Sequence, residues 1–292
     1  MFELTEKYLN PFTDFGFKKL FGEEVNKDLL IDFLNSLLEG EQLVKDLTYL
    51  KNEHLGTSDI ARKGIFDLYC ENEKGEKFIV EIQKAKQDFF KDRSVYYSTF
   101  PIQEQAKQGV WNYELKAVYT IGILNFIFED HKNEPDKLMH KIKLTDIETK
   151  SIFYDKLTYI YLELPKFKKD ESELKTHFDK WLYVLRHLQN LQNRPIALQE
   201  KVFEKLFKTA EIAMFTVQER REYEDNLKYY RDMVNIVESA KEEGVEQGIE
   251  QGIEQGIEQG KEDVARNLKK LGMEIEVIIK STGLTKEQID NL

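Results

Sequence analysis

The chain has 292 residues, a net charge of −11 at neutral pH, 41% apolar residues and 12% aromatic residues. That is enough apolar material for one large domain or two ordinary ones, which excludes general disorder, and no run of 18 apolar residues indicates a membrane span. The acidic balance excludes a generally basic nucleic-acid coat, yet residues 238–263 hold nine acids and two bases, leaving only −4 on the remainder, where a local DNA-binding surface stays open.

The opening residues, Met1-Phe-Glu-Leu-Thr-Glu-Lys7, lack the charged and apolar regions of a signal peptide. Cys70 is the single cysteine, so no intramolecular disulfide is expected, in keeping with a reducing cytoplasm. An aromatic-rich stretch, Asn10-Pro-Phe-Thr-Asp-Phe-Gly-Phe-Lys-Lys-Leu-Phe21, leads into a helix expected from Glu23 to Leu38. Leu29, Leu30, Phe33, Leu34, Leu37 and Leu38 fall there at helical spacing, with Gly40 as a stop. Leu43 to Asn52 reads as a strand.

Two short strands follow, Ile65-Phe-Asp-Leu-Tyr-Cys70 and Lys77-Phe-Ile-Val-Glu-Ile-Gln83. With Glu73-Lys74-Gly75 as a three-residue hairpin loop and Gly75 in the left-handed position, Asn72 pairs with Glu76. Counting back places Asp67 opposite Glu81, and Gln83 shares their face by the period of two. Phe66, Leu68 and Cys70 with Phe78, Val80 and Ile82 then form an apolar face for a core, with Cys70 a core thiol. Like charges directly opposite one another repel. Either the carboxylate face is simply wet, or a bound divalent cation joins Asp67 and Glu81.

Residues 88–108 read as a helix kinked at Pro101. Leu115 to Leu124 is a strongly apolar strand suited to a buried position. Helix, three strands, helix and strand together predict a four-stranded mixed sheet flanked by helices. Residues 142–164 are strand-rich and end at Leu164-Pro-Lys-Phe167. From about 172 to 240 the pattern is helical, with Phe178, Trp181, Leu182, Leu185 and Leu188 as a core stripe.

A period of four runs from Glu243 to Gly260, setting Val245, Ile249, Ile253 and Ile257 beside a stripe of glycines. Two readings stand for this segment: a self-association helix or a semi-flexible acidic spacer. A segment from Asp263 to Leu271 closes at Gly272, and Thr285 with Gln288 forms a capping box in the tail. The tail reads as a small helical packing unit or a helix-turn-helix mimic without a basic cluster. His54, His131, His140, His177 and His187 show no metal-ligand spacing, and neither a glycine-rich phosphate loop nor a nucleophile elbow occurs.

Thr13-Asp-Phe-Gly-Phe-Lys-Lys-Leu-Phe-Gly22, Phe66-Asp-Leu-Tyr-Cys70, Ile79-Val-Glu-Ile-Gln83, Arg93 with Tyr96-Tyr97, Gln105, Gly109, Tyr113 and Leu164-Pro-Lys-Phe167 carry a resemblance in order and spacing. So do the Glu-Gln-Gly repeats of the tail. The chain resembles the PD-(D/E)XK nucleases, in the branch called PD-(D/E)XK nuclease family transposases or recombination-promoting (Rpn) nucleases. The resemblance implies an α/β restriction-endonuclease-like mixed sheet flanked by helices over residues 1–165. A helical region over 166–240 and the repeat helix with its short helical tail over 241–292 would follow.

It further implies a Mg²⁺-dependent DNA endonuclease linked to transposition, recombination or defence, with Asp67 and Glu81 as metal carboxylates. Gln83 stands where the broad pattern has lysine, and Lys63, four residues before Asp67, could supply the missing charge. Lys84 points to the opposite face if the strand continues. Arg93 and Tyr97, four apart on one helix face, could contact a phosphate or orient Gln83; a surface ion pair is the other reading of Arg93. Asp14 adds a carboxylate or is an exposed cap. The loss of a cation at Gln83 keeps open a non-catalytic DNA-binding or protein-interaction role. Expected partners are DNA and, through the repeat helix, a second copy of the chain; no membrane partner is expected.

Overall fold

A computed structural model of the protein describes residues 6–40, 43–54, 64–106 and 112–292. Lys63 and Gly109 lie outside them. The aromatic-rich opening forms a helix of its own, α1 (Asp14–Phe21). The Thr13 hydroxyl accepts the Gly16 N–H at 2.9 Å and donates to the Asn10 carbonyl at 2.8 Å, capping the first turn. A Cβ on Gly16 would stand 2.2 Å from the Asn10 oxygen, so only glycine fits there. The helix expected from Glu23 begins as a 3₁₀ turn over Glu24–Asn26 and becomes α2 (Lys27–Leu37).

The strands are β1 (Leu47–Tyr49), β2 (Glu53–His54), β3 (Gly64–Ile65), β4 (Leu68–Asn72), β5 (Lys77–Gln83), β6 (Val118–Leu124), β7 (Met139–Thr145) and β8 (Ile152–Glu163). β2 and β3 form a separate ribbon. The main sheet runs β1-β4-β5-β6-β8-β7, with β5, β6 and β8 parallel and the outer pairings antiparallel. It has six strands, not four. The strand-rich segment adds β8 beside β6, where Ile160 pairs with Ile121 and Leu162 with Ile123, so that all four extend one buried apolar layer.

One face of the sheet presents Leu68, Cys70, Phe78, Val80, Ile82, Ile121 and Ile123 to the main core. Covering it are α1, α2, α4 (His177–His187), α5 (Lys201–Ala210) and the start of α6 (Val217–Lys270). Trp181, Leu182, Leu185 and Leu188 are buried in that core, with Phe178 packed against it. Burial pushes the Cys70 thiol up to about 12, which leaves it an un-ionised core group. The other face is covered by α3 (Phe90–Glu104), which carries Pro101 within its last turns.

Phe66 departs from the alternation expected of it. It packs with Tyr69, Ile79 and Phe100 on the α3 side, because the chain bends at Asp67 before β4 begins. Met1–Met233 form one compact unit, so the helices after residue 166 share the core of the sheet. Val234–Leu292 form a second unit. In it Ala265, Ile278, Leu284 and Ile289 make a small core that includes α7 (Ile275–Thr282) and α8 (Lys286–Asp290). The Thr285–Gln288 capping box is present. The segment ending at Leu271 continues α6 instead of forming a separate helix. The repeat is helical, with Val245, Ile249, Ile253 and Ile257 each more than half exposed. No described helix is long and apolar enough to cross a membrane.

Candidate functional site

The β4–β5 hairpin sets the geometry. Gly75 has φ +80°, the Asn72 N–H donates to the Glu76 carbonyl at 3.0 Å, and the Asn72 side chain accepts the Lys74 and Glu76 N–H groups. This fixes the register at Leu68 with Val80 and Cys70 with Phe78. Continued one step, it brings Asp67 to Glu81, and the Asp67 N–H donates to Glu81 Oε1 at 3.2 Å. Asp67 Oδ2 accepts the Ile82 N–H at 2.8 Å, and Asn52 donates its amide to the Asp67 carbonyl at 3.0 Å. The bend that displaces Phe66 therefore also anchors Asp67 by both its backbone and its carboxylate.

Gln83 lies two residues beyond Glu81 and donates to Glu81 Oε2 at 3.3 Å. Glu81 and Gln83 are only 6% and 8% exposed, whereas Asp67 beside them is half-buried. Arg93 reaches over from α3, with Nη2 4.0 Å from Glu81 Oε2 and Nη1 donating to Gln87. Its Nη2 is buried and makes no hydrogen bond. The guanidinium lies 5.1 Å from the Phe90 ring and 5.8 Å from that of Tyr97. Tyr97 packs edge-on against Phe66. Asp67, Glu81, Gln83, Arg93 and Tyr97 are thus neighbours, whereas Lys63 falls outside the described residues. Lys84 pairs with Asp14 of α1 at 2.9 Å, and both act electrostatically on Asp67.

Burial pushes Glu81 up to about 8, helped by the Asp67 charge and opposed by the Asp67 N–H, Arg93 and Gln83. Asp67 is also raised, first by burial and then by Asp14, against the Ile82 N–H, Lys18 and Lys84. Two adjoining carboxylates that resist ionisation without a counter-charge suit a hard divalent cation. Each carboxylate keeps an oxygen or a lone pair beyond its hydrogen bonds with the protein.

A second cluster escaped the sequence reading. His131, His140 and Glu163 bring ligand atoms within 4.8 Å of one another. They stand nine and 23 residues apart, so no local spacing announces them; the β7–β8 pairing brings His140 to Glu163, and a 3₁₀ turn over Glu129–His131 adds His131. Glu163 is fully buried and accepts from the Phe128 N–H at 2.8 Å, His131 Nδ1 at 3.0 Å and His140 Nε2 at 3.3 Å. Lys166 pairs with it at 2.7 Å. Burial alone would raise Glu163, but Lys166, the Phe128 N–H and His131 outweigh it and hold the carboxyl low. Four donors use the lone pairs of this carboxylate and a lysine supplies its counter-charge, so it fits a structural clamp better than a metal ligand.

A family model described as PD-(D/E)XK nuclease family transposase matches residues 11–240. No curated protein and no solved structure matches the chain. The match spans the sheet, the hairpin that carries Asp67, Glu81 and Gln83, the α3 residues above them and the helices of the main core. The chain belongs to the PD-(D/E)XK nuclease family transposases.

Proposed function

We propose that this family member is a Mg²⁺-dependent DNA endonuclease, with Asp67 and Glu81 as the metal-holding carboxylates. The observation that supports the reading is the adjacency of two carboxylates, Glu81 buried and Asp67 half-buried, to a buried guanidinium nitrogen that makes no hydrogen bond and lies 4.0 Å from Glu81 Oε2. A bound Mg²⁺ would supply an activated water and neutralise charge on the scissile phosphate. The chain's own residues supply the rest. Gln83, bonded to Glu81 Oε2, orients that carboxylate and offers an amide to the attacking water. Arg93 Nη2 takes a phosphate oxygen, and Tyr97 and Phe90 hold the guanidinium in place.

In this reading residues 1–165 form the nuclease core, 166–240 brace it, and 241–292 bring copies together. The setting is cytoplasmic, and the activity serves transposition, recombination or defence. A non-catalytic DNA-binding or protein-interaction role is the second reading. Gln83 favours it, since an amide supplies no charge where the broad family pattern has a lysine. Incubation of purified protein with supercoiled plasmid, with Mg²⁺ and with chelator, separates the two. Metal-dependent nicking supports the endonuclease; intact plasmid, alongside linear DNA and RNA that also stay intact, supports the second reading.

A further inference from the structure

Among the described residues, three non-glycine residues have a left-handed backbone, and one of them, Phe89, is also the residue before α3. Its φ is +58° and its side chain is 79% exposed, while Phe90 next to it is 4% exposed. A bulky residue with φ above zero is strained, and glycine or asparagine would take the position more easily. A phenyl ring has no group that could cap the helix it precedes. The fold thus gains neither backbone comfort nor packing from a phenylalanine at this place. Local strain and an exposed aromatic at one residue point to use by a ligand.

The surroundings indicate which ligand. The Phe89 carbonyl accepts the Arg93 N–H at 2.9 Å, so residue 89 stands one helical turn before Arg93, whose guanidinium lies beside Glu81. Lys86 and Lys91 flank it in sequence, pairing with the exposed acids Glu129 and Asp130, and Lys91 also lies 4.7 Å from the Phe128 ring. Exposed pairs of that kind contribute little, so giving one up to a phosphate costs the fold little. A flat apolar ring set between cationic groups matches a nucleic acid, whose bases offer faces for stacking and whose backbone offers anions. We infer that Phe89 is a positioning residue that stacks on a base of the DNA substrate next to the phosphate held by Arg93. This rests on the proposed nuclease function.

The test uses full-length protein and DNA oligonucleotides carrying 2-aminopurine at successive positions. Wild type should give a fluorescence change confined to one or two positions of the probe. Phe89→Gly, which relieves the backbone strain, should abolish that change and weaken DNA binding by about five- to 150-fold. That range corresponds to the ~1–3 kcal/mol of a base–aromatic stack. Its melting temperature should hold or rise, and Phe89→Trp should restore both binding and signal. Unchanged affinity in Phe89→Gly, or a loss that Phe89→Trp does not rescue, overturns the inference. Where wild type cleaves DNA, that result leaves the nuclease reading standing; wild type that binds no DNA overturns both.

Discussion

Glu81 shows how one residue links structure to pH. Its carboxyl is pushed from 4.5 to about 8 by burial, and by the Asp67 charge. Between those values the folded, metal-free protein keeps a proton that the unfolded chain releases. This contribution to stability is complete below the unfolded value and is lost as pH rises through the folded one. For one proton the slope is at most about 1.4 kcal/mol per pH unit. Asp67, also raised, acts with the same sign. Melts in chelator from about pH 5 to about pH 8 should show wild type losing ground to Glu81→Gln, which has no such proton to release. A constant difference between the two across that range would contradict the account. The Asp67–Glu81 adjacency was legible in the sequence because Gly75 and Asn72 dictate the register locally. The place of Phe66 was not, since a bend at Asp67 breaks the two-residue alternation that the reading assumed. The Glu163 clamp was hidden because its partners come from separate elements and a long pairing.

At the scale of elements, α1 is held by a cap that tolerates no side chain at Gly16. Gly16→Ala should cost about 1–3 kcal/mol, by displacing the Asn10–Thr13 turn. Thermal or denaturant unfolding measures this, and a loss below a few tenths would show that the turn yields freely. The helix carries its own signal in Thr13 and the spacing of Phe17, Leu20 and Phe21, which describing the stretch only as aromatic-rich left out. The strand expected over 43–52 shrank to three residues, because only Leu47–Tyr49 pair with β4. The repeat poses a separate question. A Cβ at Gly244, Gly248, Gly252, Gly256 or Gly260 meets nothing within 4 Å, so no contact within the chain requires glycine there. Replacing Gly248, Gly252 and Gly256 by alanine should strengthen the isolated helix by about 1 kcal/mol each. If the stripe packs closely on a second copy, the same changes should weaken association. Light scattering together with helix melting distinguishes the outcomes, and stronger helix with unchanged mass leaves only the spacer reading.

For the whole molecule, the mixed sheet and its helical cover were legible as a class because strand and helix periods alternate along the first 165 residues. The number of strands was not, since joining β8 to β6 is a pairing between distant segments that no local pattern specifies. Nor was the sharing of one core by the sheet and the helices beyond residue 166, which depends on where Trp181, Phe203 and Tyr223 come to rest. The sheet, the bend at Asp67 and the seat of α3 converge on the Asp67–Glu81 pair, so the central claim is tested there. Plasmid nicking by wild type, Asp67→Asn and Glu81→Gln should be compared in Mg²⁺, with melting temperatures taken on the same samples. These isosteric changes remove a hard anionic ligand and, with it, the cost of keeping a buried acid protonated near neutral pH, so each variant should there melt no lower than metal-free wild type. The account predicts that both lose metal-dependent nicking by a hundredfold or more, on the order of 3 kcal/mol of lost transition-state stabilisation. Nicking at the wild-type rate by either folded variant would contradict it.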